Sequence, residues 1–580
     1  KTQAPTQAPL AWCPVVCPPS QNIHRSMAPP RARLALVVSC ACLTQARGHR
    51  ASIHDALAHD ESRTRGASFH QGSDGLDTPG GDYSGLLLGT MNVIGNDENP
   101  FQFYPSDADM KLSLGEDGVE AWRAAYAGAI AAFEKYTVAE ALVQVQAQGE
   151  EPAGTLSSFL DTLSADARSK PVLSLVTDGT LDLGLDNKWD DGDRVNPIVQ
   201  AMGLMPGIQP AVPKVTAVSQ QGVDAGAAIA AYFKARIGKK AVKQWASLLL
   251  WDMLCTDVAK QAPEQLATLA KVSYMNNAEN LLGDKPDILT DLFAPLAQQA
   301  GEHPKAMVIV GGQEIPRDQS FTDFVAGKGL ALFRKPAQVA GTEDKTVSGF
   351  FHSQALKAED VTASIEGGLR TKLKGLQLKA DIIDTTLRKM LVTAFSKSGK
   401  PYATVIVFHC KSFKKDVQKQ AAFVAEALTL AEALGRGPVY AVGDMNVEAK
   451  FPTKYTVATA KQAVKNAEFG MMPKDTAALT EEFTTALAEK NIQPYPTAAE
   501  TMTTLKIRTA LQGQPSKADE VTVAHKDFVF VRQGTAVSGA LVGGRREKGE
   551  DGNLALLQPS RQWPSDHFAI MAFVDQPADV

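Results

Sequence analysis

The apolar positions of the chain first gather into a strand, Leu86-Leu87-Leu88-Gly89-Thr90-Met91, which stops on the polar Asn92. The period then changes. Trp122, Tyr126, Ile130 and Phe133 recur at helical spacing, one stripe of an amphipathic helix. The Ala-rich stretch 227–250 predicts more helix, anchored by Tyr232, Phe233 and Trp245, whereas the Gly-, Asp-, Asn- and Pro-rich stretch from Leu183 to Pro213 predicts irregular connection. Residues 105–285 are therefore expected to form a mainly helical insertion. Beyond it, strands alternate with helices. Ile288, Leu289, Leu292, Phe293 and Leu296 make one helical face, in which Pro295 predicts a kink or an early end. A strand from Met307 to Val310 leads into Gly311-Gly312-Gln313-Glu314, and another runs from Ala403 to Phe408. Val417, Ala421, Val424, Leu428 and Ala431 share a helix face ahead of the strand Val439 to Val442. Residues 455–515 read as mixed and more helical, and strands at Phe528 to Val531 and His567 to Val574 close the pattern. This order predicts an α/β fold of packed sheets flanked by helices.

Length and charge narrow the picture. A chain of 580 residues exceeds what one small core accommodates, so one elaborated domain or two domains are expected. Apolar content of 44% and charged content of 21% are those of an ordinary soluble globular protein. The net charge of −5 gives no bulk basic surface, so a nucleic-acid substrate would need a locally basic groove. Near the start, Arg31 and Arg33 precede the uncharged run Leu34 to Leu43, and small and polar residues follow at Thr44 to Gly48. That is the pattern of a secretory signal peptide beginning at Met27, too short to span as a mature helix. The expected organisation is a leader over 1–48, a linker or propeptide over 49–84, and a domain over 85–576. The expected destination is the secretory pathway: secreted, endomembrane or plastid. No transmembrane segment is expected in the mature chain, and no protein partner is evident. Cys13, Cys17, Cys40 and Cys42 fall in the leader, which leaves Cys255 and Cys410, expected to be separate buried thiols. The acidic run from Asp186 to Asp193 fails as a calcium loop, because alignment on Gly192 puts Trp189 and Ile198 at ligand positions.

Candidate chemistry collects where apolar runs begin or end: Asn92, Glu314, His409, Asp444 with Asn446, Asp527, and Asp566 with His567. Carboxylates, amides and imidazoles at the rim of a sheet are the groups that metal-assisted phosphate hydrolysis needs. Taken singly, each has a plainer reading. Asn92 would be a turn former, Glu314 a surface carboxylate, His409 a core histidine and Asp527 a strand-flanking charge.

Taken together, the motifs are Thr90-Met91-Asn92-Val93, Gly312-Gln313-Glu314, Phe408-His409-Cys410-Lys411, Gly443-Asp444-Met445-Asn446, Lys526-Asp527-Phe528-Val529-Phe530 and Trp563-Pro564-Ser565-Asp566-His567. In this order the chain resembles the endonuclease/exonuclease/phosphatase superfamily, the metal-dependent phosphoesterases related to deoxyribonuclease I and the apurinic endonucleases. The resemblance covers residues 84–100 and 286–576. It implies a four-layered α/β sandwich whose strand ends meet in one cleft, with 105–285 as a large helical insertion. The departures are Gly312, where a large apolar residue is usual, and Cys410, where Leu or Phe commonly follows the His. The surroundings of Asp444 and Asn446 match neither the inositol polyphosphate 5-phosphatases nor the deadenylases well. The expected activity is hydrolysis of a phosphoester, whether nucleic acid, phospholipid or small phosphorylated molecule. The alternative is a catalytically silent binding module using the same cleft and the insertion.

The chemistry then allots roles. Glu314, with Asn92 and Asp566 near it, is expected to hold a hard divalent cation, Mg²⁺ first and Mn²⁺ or Ca²⁺ as alternatives. Asp444, held by a tight turn at Gly443, would position or deprotonate the attacking water. Asn446 would donate to a phosphate oxygen. His409 and His567 would flank the phosphate, with Asp527 or Asp566 fixing an imidazole tautomer. His409 lacks an evident carboxylate partner, with His352 in the right general region.

Overall fold

A computed structural model describes residues 68–71, 82–93, 107–135, 164–171, 261–272, 286–317, 319–336, 346–410, 416–447, 474–499, 501–507, 521–544 and 565–575, with positions 79, 105, 137, 140, 413 and 563. The leader, the stretches 183–213 and 227–250, and Cys255 lie outside the described residues. In chain order the strands are β1 (Ser68–Gln71), β2 (Leu86–Asn92), β3 (Met307–Pro316), β4 (Leu330–Arg334), β5 (Thr346–Ser353), β6 (Leu356–Asp360), β7 (Leu391–Lys397) and β8 (Lys400–His409). They continue as β9 (Val439–Asp444), β10 (Ile492–Tyr495), β11 (Thr504–Ile507), β12 (Val521–Ala524), β13 (Asp527–Arg532), β14 (Val537–Gly544) and β15 (Ala569–Val574). The helices are α1 (Asp107–Leu114), α2 (Gly118–Phe133), α3 (Ala165–Ser169), α4 (Pro263–Val272) and α5 (Pro286–Glu302), then α6 (Gln319–Gly327), α7 (Thr362–Gly375), α8 (Ala380–Arg388), α9 (Val417–Glu432) and α10 (Lys474–Ala488).

Seven strands form one sheet in the order β1-β14-β15-β2-β3-β5-β4, and six form another in the order β10-β13-β9-β8-β7-β6. Each sheet holds one parallel pair near its middle, β2 with β3 and β8 with β9; the other neighbours are antiparallel. A parallel pair needs a crossover. α9 supplies it between β8 and β9, and the long insertion lies between β2 and β3.

Strand alternation sorts side chains into layers. Leu86, Leu88 and Ile309 from the first sheet meet Val405, Val407, Tyr440 and Val442 from the second in one core. The other face of the first sheet, with Leu87, Val308 and Val310, packs on Leu289, Phe293 and Leu296 of α5 and Phe321 of α6. On the second sheet, Ile406, Phe408, Phe528 and Phe530 pack on α7 to α10 through residues such as Leu369, Ile383, Phe423 and Phe483. The order is helix, sheet, sheet, helix: the four-layered sandwich that the sequence implied. Gly311 of β3 sets how closely the sheets approach, because a Cβ there would lie 2.3 Å from Cγ2 of Val442.

Several elements differ from expectation. β1 lies within the stretch read as linker or propeptide and pairs with β14. α5 runs through Pro295 to Glu302 without ending early, because its buried face holds the helix where one backbone donor is missing. In α2 the most buried positions are Trp122, Ala125 and Ala129, so the face centres on small residues against which α4 packs. Within the stretch 455–515, read as mixed and more helical, residues 504–507 form the strand β11. No helix among the described residues is long and apolar enough to cross a membrane.

One buried cation ties the two helix–sheet halves together. Lys335, just past β4, donates from Nζ to the carbonyls of Leu387, Arg388 and Met390 at 3.0, 2.8 and 2.7 Å, at the C-terminal end of α8. An ammonium placed there meets the negative end of the helix dipole and satisfies carbonyls that the helix itself cannot. Lys335→Met is expected to lower the unfolding free energy by about 1.5–3 kcal/mol, the scale of hydrogen bonds to charged groups. A urea titration should show the midpoint fall with the slope unchanged; an unmoved midpoint would assign Lys335 no such role.

Candidate active site

Backbone register alone brings three of the candidate groups together. β8 beside β9 sets His409 opposite Asp444, and β13 beside β9 sets Asp527 opposite Asp444. All three therefore stand at one end of the second sheet. Asp444 is held there by Asn446, whose backbone N–H donates to Oδ1 at 2.7 Å and whose Nδ2 donates to Oδ2 at 3.2 Å. The other Nδ2 hydrogen goes to the carbonyl of Cys410 at 2.7 Å. Both amide hydrogens thus have partners within the protein, and two of the three bonds tie Asn446 to the carboxylate of Asp444. Its φ of 49° is the left-handed conformation that Asn tolerates in such a side-chain turn. Gly443 is no turn. It lies inside β9, paired with Phe408 and Phe528, at a φ of 143°.

The first sheet contributes Asn92 and Glu314 from its parallel pair, in which Asn92 is the register partner of Gln313. Pairing of β3 with β5 shifts between Gly312 and Ile315, and within that bulge Glu314 adopts a φ of 56°. A bulge re-aims the side chain it carries. Oε1 of Glu314 lies 3.6 Å from Nε2 of His409 across the two sheets. Glu314 is thus the carboxylate neighbour that His409 lacked in the sequence reading. His352 sits further back on β5, opposite Ile309, where its Nδ1 lies 3.0 Å from the Ser353 carbonyl and its ring meets Phe395 edge-on. It is a core histidine, and burial lowers its pKa.

The segment 565–568 joins the halves. Ser565 Oγ donates to the Asn92 carbonyl at 2.8 Å and accepts from the His567 N–H at 3.1 Å, while Trp563 Nε1 donates to the His567 carbonyl at 2.7 Å. His567 Nδ1 lies 2.8 Å from Oδ2 of Asp527, so of the two candidate carboxylates it is Asp527 that stands within hydrogen-bond distance of this nitrogen. Nε2 then faces Asp444 at 3.9 Å and Asp566 at 3.8 Å. Asp527 also accepts at Oδ2 from Thr503 Oγ1 at 3.0 Å, a contact to which nothing in the run Thr501-Met502-Thr503-Thr504 pointed.

These environments push the titrating groups apart. Burial alone would lower the pKa of His567, but the carboxylates of Asp527, Asp566 and Asp444 outweigh it and raise the value to about 9. His409 is held well below the usual imidazole range by burial and by the charges of Lys389, His567 and Lys526. Burial raises Asp444 to about 6, against the attraction of His567. The thiol of Cys410 is buried and pushed up, so it is not a reactive group.

Two donor sets bear on a cation. Among the described residues, one group of three His, Cys, Asp or Glu side chains has its ligand atoms within 4.8 Å of one another: Asp444, Asp527 and His567. In that group His567 Nδ1 and Asp527 Oδ2 already share a proton, so the hydrogen-bonded pair accounts for their closeness without a metal. Asn92, Glu314 and Asp566 are instead an all-oxygen set, one amide and two carboxylates, in which Glu314 is turned out of its strand by the bulge. That chemistry fits a hard divalent ion.

No protein-family model matches this sequence, and no curated protein matches it. Among solved structures the chain is similar to ANGEL2, a 2′,3′-cyclic phosphatase, at 11% identity over 51% of this chain and 91% of that one, with a TM-score of 0.28. It is similar to the human Nocturnin catalytic domain with bound sulfate at 14% identity, over 49% and 83% of the two chains, with a TM-score of 0.25. It is also similar to the 3′ phosphatase NExo from Neisseria, bound to product DNA hairpin, at 14% identity over 49% and 95%, with a TM-score of 0.26. What the chain resembles, on its own six motifs and the site into which they fold, is the endonuclease/exonuclease/phosphatase superfamily.

Proposed function

We propose that the protein is a metal-dependent phosphoester hydrolase. The observation that carries this reading is the His567–Asp527 pair at 2.8 Å with the buried Asp444 carboxylate 3.9 Å from its outer nitrogen. The substrate phosphate lies against His567 and His409. Asp444 orients the attacking water and takes its proton, a task suited to a carboxyl raised toward neutral pH. His567, held as imidazolium by its carboxylates, stabilises the charge that builds on the phosphoryl oxygens. His409, kept neutral, hydrogen-bonds the same group without adding to its charge. Asn92, Glu314 and Asp566 would hold the cation, Mg²⁺ by the hardness of the donors, and it supplies further positive charge at the phosphoryl group. Lys389 and Lys526, whose charges reach His409, add positive charge beside the carboxylates of the site.

The test is a comparison of bis-p-nitrophenyl phosphate, p-nitrophenyl phosphate, plasmid DNA and sphingomyelin, each with Mg²⁺ and with chelator. Turnover of at least one, lost in chelator and restored by Mg²⁺, is expected. Turnover of the monoester alone would exclude a nuclease as the main activity. No metal-dependent turnover on any of the four would sink the hydrolase reading in favour of a binding module.

A further inference from the structure

We propose that Thr503 is a positioning residue for the His567–Asp527 pair, a single hydroxyl that fixes the direction of the Asp527 carboxylate and, through it, the orientation of the His567 ring. Its catalytic consequence rests on the hydrolase reading; its structural consequence does not.

A threonine hydroxyl has one hydrogen to give and two lone pairs to receive. Oγ1 of Thr503 lies 2.8 Å from the backbone nitrogen of Lys526, 3.1 Å from that of Asp527, and 3.0 Å from Oδ2 of Asp527. The two N–H groups can only donate, so they occupy the two lone pairs. The remaining hydrogen must then point at the carboxylate. Oδ2 is thereby fixed as an acceptor from Thr503, and since a carboxylate can only accept, His567 Nδ1, 2.8 Å away on its other side, is the N–H that donates to it. A protonated Nδ1 puts the reactive nitrogen of His567 outward, toward Asp444.

Thr503 also holds the second member of the pair through its backbone. Its carbonyl accepts from Phe568 N–H at 2.8 Å, one residue past His567, and its own N–H reaches the carbonyl of Ala524 at 3.0 Å. Asp527 and His567 thus hang on one residue, one by side chain and one by main chain. The other oxygen of Asp527, Oδ1, is buried without a hydrogen-bond partner among the described residues. Without the Thr503 hydroxyl, only His567 itself would resist rotation of that carboxylate.

Thr503→Val keeps the shape and removes all three bonds; Thr503→Ser keeps the bonds and removes a methyl. In the full chain, Thr503→Val is expected to lower kcat roughly 10–100-fold, the scale seen when a group behind an active-site ligand is lost, with KM unchanged, and Thr503→Ser to restore most of it. The proton on His567 Nδ1, assigned by its loss in His567→Gln, is expected to resonate far downfield in the wild type and Thr503→Ser, and to move upfield or vanish in Thr503→Val. The resonance needs no substrate, so it decides the proposal even if no hydrolysis is found. If Thr503→Val does not fold, Thr503→Cys serves, since a thiol is a weak donor, and an intermediate rate and shift are expected. Folded Val or Cys variants with wild-type kcat and an unmoved resonance would overturn the proposal. So would Ser and Val variants that lose activity equally with the resonance intact, because that pattern belongs to packing alone.

Discussion

Asp444→Asn is expected to lower phosphoester turnover by roughly 10²–10⁴-fold, the range for loss of a positioned proton acceptor, while substrate affinity and folding change little. Asp444 is 2% exposed and stands at the centre of the site, opposite both His409 and Asp527 in register. Asparagine matches its size but has no basic oxygen to take a proton from water. The fold has no strong need for the charge, since burial already opposes ionisation and raises this carboxyl to about 6. The variant does face a local conflict. Asn446 aims one N–H at each oxygen of Asp444, so an amide NH₂ there must oppose one of them. That costs on the order of 1–3 kcal/mol as an unmade hydrogen bond, too little to empty the folded state of a typical domain. Parallel measurement of kcat, KM and Tm checks it. A folded Asp444→Asn protein that hydrolyses its substrate at near wild-type rate would falsify the role given to Asp444.

The ends of strands were legible in the sequence because a buried central strand is a continuous apolar run, and what stops it must be polar. Val439 to Val442 before Asp444 and Leu86 to Met91 before Asn92 are such runs, and both strands are fully buried. Strands with weaker patterns were not legible. β6, Leu-Lys-Ala-Glu-Asp, is an edge strand with only its leucine buried, and β14 is diluted by glycine. The site was legible as a set of residues and less so as a set of bonds. Which carboxylate serves His567 depends on the meeting of segments 40 residues apart in sequence. That Glu314 faces His409 depends on a bulge, which exists only once β3 has a partner. Thr503 had no signal because its value lies entirely in a contact made when β11 pairs with β12 and brings residue 503 to residues 526 and 527. Local pattern fixes where polar groups leave the core; register and bulges fix what they meet.

Gly443→Ala should be the most damaging single-methyl change at the site. At φ 143° the backbone of Gly443 occupies a region that a side chain resists, and an added Cβ would lie 2.1 Å from the Phe408 carbonyl oxygen. Backbone strain of this kind costs about 1–3 kcal/mol, and forcing a methyl into packed surroundings costs about 1–3 kcal/mol more. The sum is a large share of the stability of an ordinary domain. Relief by backbone movement is blocked on both sides, because β9 is hydrogen-bonded to β8 and β13 at this position. Any shift that does occur parts β9 from β8 where His409 and Asp444 are register partners, so molecules that still fold should hydrolyse poorly. Gly399→Ala is the matching control. It sits at φ 83° in the Ser398-Gly399 turn between β7 and β8, with nothing within 4 Å of an added Cβ, so it carries the strain without the collision. Urea unfolding should place Gly443→Ala well below Gly399→Ala in stability, and only the former should lose activity per folded molecule. Equal losses in the two variants would mean that strain alone, and not the approach of β9 to Phe408, sets the requirement for glycine beside Asp444.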